Sequence, residues 1–114
     1  MDESYAIRRY EQAAALLPLR WQQQARQLPP RQMARAEELR LRAGHPMTVL
    51  LPRGEQVVGE ETVVTQGDIE LLCDTVTGYS RYAAAETMAR GYITAKGGFR
   101  IGLCGTAVVQ EGRS

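Results

Sequence analysis

Gly91-Tyr-Ile-Thr-Ala-Lys-Gly-Gly-Phe-Arg-Ile-Gly-Leu-Cys-Gly-Thr-Ala-Val-Val-Gln-Glu-Gly112 sets apolar runs on either side of a Gly97-Gly98 pair. A two-residue loop with positive φ at both positions favours glycine twice, so the stretch reads as a β-hairpin. In that register Lys96 faces Phe99, Thr94 faces Ile101 and Tyr92 faces Leu103. Tyr92, Phe99, Ile101 and Leu103 then share one face, which is expected to be buried. Ile93, Ala95, Arg100, Gly102 and Cys104 fall on the other, flat around Gly102 with one guanidinium beside it. The hairpin glycines Gly97, Gly98, Gly102 and Gly105 are therefore structural, and the flat face suits close approach by another group.

Upstream of the hairpin the pattern turns helical. Thr65-x-x-Asp68 is a capping-box start for a helix burying Ile69, Leu72, Cys73 and Val76, which Gly78 stops. Ser80 caps a second helix over about 81–90 that Gly91 ends. Glu38-Leu-Arg-Leu-Arg42 alternates strictly, placing Leu39 and Leu41 inward and Glu38, Arg40 and Arg42 outward on a strand. Ala43-Gly-His-Pro46 turns the chain into a second strand, Met47–Leu51, ended by Pro52-Arg53-Gly54. Residues 56–65 supply one or two further short strands.

At the amino terminus Asp2, Glu3 and Ser4 begin a helix in which Ile7, Tyr10, Ala14, Leu17 and Trp21 recur at helical spacing. Pro18 must break it, giving a second helix over about 19–28 that Pro29-Pro30 ends, and residues 31–36 add one more turn. Helices grouped between blocks of antiparallel strands mark an α+β domain with a mostly antiparallel sheet. Residues 1–30 form an amino-terminal helical segment and 31–114 the α+β domain.

The 114 residues suffice for one real core, and 44% hydrophobic with 24% charged residues is ordinary for a globular chain. A formal charge of +1 gives no long-range field toward nucleic acid or an anionic membrane. Lys96 is the sole lysine; an arginine-dominated chain fits forked anion recognition or simply genomic base composition. Cys73 and Cys104 are far apart and His45 stands alone, so neither a disulfide framework nor a metal site is indicated. His45 reads as an exposed turn residue. No run approaches a membrane span, and Met-Asp-Glu-Ser is the wrong charge for a signal peptide, which points to the cytoplasm.

Catalytic motifs are absent from these residues. Gly97 and Gly102 have Walker A spacing, but Leu103-Cys104 stand where Lys-Ser/Thr must be. The adjacent pairs Glu37-Glu38 and Glu60-Glu61 point to opposite faces of an extended chain and make poor acid/base dyads. Arg100, with Arg40, Arg42 and Glu38 as secondary candidates, is the charge of interest, because a strand-borne guanidinium can stabilise phosphate charge from a neighbouring domain. A solvated or salt-bridged sheet face is the competing reading of the same residues.

Glu38-Leu-Arg-Leu-Arg-Ala-Gly-His-Pro46, Thr77-Gly-Tyr-Ser-x-Tyr82, and Gly91-Tyr-Ile-Thr with Gly97-Gly-x-Arg-x-Gly-Leu-Cys-Gly105 resemble the amino-terminal region of the stage III sporulation protein AA family. The resemblance covers about 28–112. That family is similar to the secretion and type IV pilus ATPases, where a PAS-like α+β domain precedes a RecA-like motor. It implies a mother-cell protein that helps energise a channel to the forespore, with ATP and Mg bound by a motor domain expected after residue 114. The implied partners are that motor, neighbouring subunits of a hexameric ring and membrane-embedded channel proteins, with no nucleic acid. By motif position the resemblance assigns Arg100 to the nucleotide phosphates and leaves Arg40 and Arg42 for either phosphate or a subunit interface. A docking module, or a stand-alone small-ligand or RNA-binding domain, is the alternative.

Overall fold

The computed structural model describes residues 3–59 and 62–105. Asp2, the Glu60-Glu61 pair and residues 106–112 of the glycine-rich stretch lie outside the described residues. Helix α1 (Glu3–Ala14) stops before Pro18, which precedes α2 (Leu19–Ala25) with φ −52° and ψ 149°, outside the helical region. Pro29 precedes the short helix α3 (Pro30–Met33), whose first residue is a proline that needs no N–H partner there.

Strands β1 (Glu38–Arg42), β2 (Thr48–Leu51) and β3 (Gly54–Val57) form an antiparallel meander. The third strand starts earlier than the sequence suggests, because Leu51 pairs with Gly54 across a two-residue Pro52-Arg53 turn. Helix α4 (Gln66–Val76) opens on the expected capping box: the Asp68 N–H donates to Thr65 Oγ1 at 3.1 Å and the Thr65 N–H to Asp68 Oδ2 at 2.9 Å. It ends in a Schellman arrangement, with the Tyr79 N–H on the Asp74 carbonyl at 2.7 Å and the Gly78 N–H on that of Thr75 at 3.3 Å. Ser80 caps α5 (Arg81–Arg90) through the Ala83 N–H, and Gly91, at φ 89°, ends it.

Strands β4 (Tyr92–Thr94) and β5 (Arg100–Cys104) complete a five-stranded sheet of order β3-β2-β1-β5-β4. The class is α+β, as the pattern of elements implies, and the sheet is mixed. Its three hairpin pairings are antiparallel, but at the centre β1 and β5 run parallel, with Leu39 beside Ile101 and Leu41 beside Leu103. Local pattern cannot specify that pairing, since the two strands are joined only through every intervening element. Strand β5 is therefore interior, and β4 is the edge.

The hairpin register differs from the sequence expectation by one residue. Tyr92 pairs with Gly102, Ile93 with Ile101 and Thr94 with Arg100. The Ala95 N–H reaches the Phe99 carbonyl at 2.6 Å, closing a three-residue loop of Lys96, Gly97 and Gly98. Both loop glycines take positive φ, 83° and 85°. The two-residue loop would set the Lys96 ammonium beside buried Phe99; the slip replaces it with Ala95, so no charge is desolvated. As a result Ile93 and Ala95 join Phe99, Ile101 and Leu103 in the core, while Tyr92 moves to the opposite face.

One buried cluster underlies the sheet. Tyr10, Ala14, Leu17 and Trp21 from the amino-terminal helices pack with Leu39, Val49, Ile69, Leu72 and Ile101. Tyr10 donates its hydroxyl to the Ala25 carbonyl at 2.7 Å and meets Phe99 edge to face, centroids 5.8 Å apart. The helices thus cover one face of the sheet. The other carries Thr48 as its one buried side chain among the described residues of the strands.

Candidate functional site

The uncovered face collects the charges that the alternation of β1 and β5 turns away from the core. Across the strands Thr94, Arg100, Glu38, Leu50 and Glu55 lie in one row, and Tyr92, Gly102, Arg40, Thr48 and Val57 in the next. Arg42 and Cys104 follow at the end of the central pair.

Within these rows most charges are already matched. Arg40 donates from Nε to Glu38 Oε2 at 3.0 Å and from Nη1 to Glu55 Oε1 at 3.4 Å. Arg42 donates to Glu55 Oε2, which also accepts from the Thr48 hydroxyl. Glu38, Arg40, Arg42, Thr48 and Glu55 thus form one network that neutralises itself, the salt-bridged sheet face weighed from the sequence. Exposed pairs of this kind contribute about 0–1 kcal/mol each, so the network fixes side-chain positions more than it stabilises the fold.

Gly102 explains why the network fits. A Cβ there would lie 2.6 Å from Glu38 Oε2 and 3.5 Å from Arg40 Cγ. The space cleared by this glycine is filled from within the chain, by the Glu38 carboxylate on its way to Arg40. The remaining depression, lined by Glu38, Arg40, Arg42, Gly91, Gly102, Leu103 and Cys104, measures about 260 Å³. Gly105 has a similar function, since a Cβ would meet Gln66 Oε1 at 2.8 Å.

Arg100 is different. Among the described residues no carboxylate pairs with it; its guanidinium lies over the Tyr92 ring, 3.9 Å from the centroid. Arg90 approaches the same ring at 5.3 Å. Stacking holds the guanidinium plane while leaving its N–H edge available to an anion. The sequence names Arg100, Arg40, Arg42 and Glu38, and the structure sets all four on the uncovered face with Arg100 outside the ion-pair network. Tyr92, Arg90, Glu55 and Thr48 escape the sequence reading. The first two were hidden by the hairpin slip, and the last two by the early start of β3; the Pro52-Arg53 turn was the signal that places Glu55 across from Leu50.

The other ionisable groups have structural settings. Cys73 is buried, and burial, with Asp74 and Glu70 nearby, pushes its thiol up from the ordinary range, whereas Cys104 is exposed. Burial tends to raise the Asp68 carboxyl, but hydrogen bonds from Arg20 at 2.6 Å and from Thr65 more than offset this and hold it below the usual value. His45 lies in an exposed turn, its carbonyl accepting from the Val64 N–H. Among the described residues no group of His, Cys, Asp and Glu could hold a metal ion, and no helix is long and apolar enough to cross a membrane.

Comparison with known proteins adds a family to this geometry. A family model described as "Sporulation stage III, protein AA" matches residues 8–114. Stage III sporulation protein AA of Bacillus subtilis (strain 168) is 31% identical over 99 residues, covering 87% of this chain and 32% of the relative. The chain therefore spans about a third of the length of that curated relative. No solved structure matches.

Proposed function

The chain belongs to the sporulation stage III protein AA family, and on that footing we propose that it is the amino-terminal regulatory and assembly domain of a secretion-type ring ATPase acting in sporulation. In this reading a RecA-like motor occupies part of the length that the relative has beyond the matched third, and the present PAS-like domain rests against it through the uncovered sheet face. ATP and Mg are bound by the motor. Neighbouring subunits of a hexameric ring and membrane-embedded channel proteins are the partners, and the site of action is the mother-cell cytoplasm.

One observation carries the proposal. Arg100 is exposed on the helix-free face, stacked on Tyr92 and without a carboxylate partner among the described residues, while Arg40 and Arg42 in the following rows of the sheet are neutralised by Glu38 and Glu55. A guanidinium held by its plane and free at its edge is suited to developing phosphate charge at an adjoining motor. Domain contact and turnover are thereby coupled, since Arg100 reaches the phosphates only when the sheet face is docked.

The test is genetic. The corresponding third of the Bacillus subtilis relative is replaced by this chain, and heat-resistant spores are counted for the chimera and for its Arg100→Ala variant. Sporulation by the chimera and loss of at least tenfold with Arg100→Ala are expected. Equal spore counts from the two, with the variant protein present at normal level, would sink the assignment of Arg100. A pure docking module predicts that equality.

A further inference from the structure

At the other end of the sheet, away from Arg100, a cleft of about 530 Å³ opens between α3 and the β2–β3 turn. Arg31, Arg35 and Arg53 line it, with Leu51 and Pro52 as an apolar wall. Its volume falls in the range of small-ligand sites. The Gln56 side-chain amide donates to Gln32 Oε1 at 2.9 Å, tying β3 to the helix across the cleft.

Three arginines converge on this cleft. Arg31 lies in α3 and Arg35 in the turn that follows it, its N–H on the Gln32 carbonyl at 3.0 Å, and both line the cleft. Arg53 in the turn adds a third. Among the described residues none of the three has a carboxylate partner, in contrast to Arg20, Arg40 and Arg42. Glu55 borders the cleft, but its carboxylate is held on the opposite face of the sheet by Arg40, Arg42 and Thr48. Three arginines thus line a cleft whose one acidic lining residue, Glu55, has its carboxylate engaged by Arg40 and Arg42.

We propose that this cleft is a binding site for a phosphate-bearing anion, held by Arg31, Arg35 and Arg53 with Leu51 and Pro52 against the less polar part of the ligand. Forked guanidiniums match the tetrahedral oxygens of a phosphate, and two or three together give charge-assisted hydrogen bonds that survive in water. The same chemistry is offered by a free phosphorylated metabolite and by the headgroup of an anionic lipid. The site is independent of the role given to Arg100, which lies on a different strand pair.

Binding is measured on the 114-residue chain by calorimetric titration with inorganic pyrophosphate and by co-sedimentation with phosphatidylglycerol vesicles. An Arg31→Ala, Arg35→Ala, Arg53→Ala triple variant and an Arg81→Ala control are compared. All four positions are exposed, so the melting temperatures of the variants serve to verify the fold. Saturable pyrophosphate binding, weakened at least tenfold in the triple variant and unchanged in the control, supports the site with a free anion as ligand. Sedimentation with vesicles alone, lost in the triple variant, supports it with a lipid headgroup. Binding of neither probe, or binding that the triple variant and the control share equally, overturns it.

Discussion

Tyr10 shows at the scale of one residue how a polar atom is accommodated in an aliphatic core. Its ring is fully buried against Phe99 while its hydroxyl reaches the carbonyl of Ala25. Removing the hydroxyl leaves that carbonyl without its partner, so Tyr10→Phe is expected to cost about 1–2 kcal/mol in denaturant unfolding at neutral pH. Burial also pushes the phenol well above its ordinary value of 10.0. Above that pH the unfolded chain releases a proton that the folded chain retains, so stability is full below about pH 10 and falls as pH rises beyond it. The Tyr10→Phe variant should lack this component of the alkaline loss, and a parallel fall in both proteins would contradict the account. The helical spacing of Tyr10 with Ala14, Leu17 and Trp21 made its burial legible in the sequence. The partner was not, because Ala25 lies beyond a proline break whose angle no local pattern defines.

At the scale of elements, the glycine-rich hairpin separates two uses of glycine. Gly97 is needed for conformation: at φ 83° a Cβ would also sit 2.8 Å from Arg9 Cγ. Gly102 is needed for space, and its nearest obstruction is the carboxylate end of the Glu38 side chain rather than backbone. Gly97→Ala is therefore expected to cost about 1–2 kcal/mol, and Gly102→Ala under about 1 kcal/mol while breaking the Glu38–Arg40 pair. Chemical denaturation of both variants gives the comparison; a larger cost at Gly102 would mean that the sheet backbone, not Glu38, is what the glycine accommodates. Caps and stops at Thr65, Asp68, Ser80 and Gly91 were legible because each satisfies a local backbone need. The hairpin register was not, because the choice between a two- and a three-residue loop is made by burial of Ala95 in place of Lys96, a long-range effect.

For the whole molecule, the α+β class followed from the order of elements, but the parallel meeting of β1 and β5 did not, since alternation marks a half-buried strand without naming its neighbour. The amino-terminal helices provide Tyr10, Ala13, Ala14, Leu17, Trp21, Ala25 and Leu28 to the same cluster as the strands. Deleting residues 1–28 is accordingly expected to abolish cooperative unfolding of the remaining 29–114, read by circular dichroism on heating. A sharp transition in the truncated chain would show that the sheet holds its core without them. The helices lie on one side, and the other side carries a self-neutralised network and Arg100, with which no carboxylate pairs among the described residues. That asymmetry is what the proposed docking to a motor uses. It is tested most directly by steady-state ATP hydrolysis of the full-length protein that carries this domain, with and without Arg100→Ala. The account predicts a kcat at least about tenfold lower in the variant, with the melting temperature unchanged. An unchanged kcat in a folded Arg100→Ala protein would contradict it.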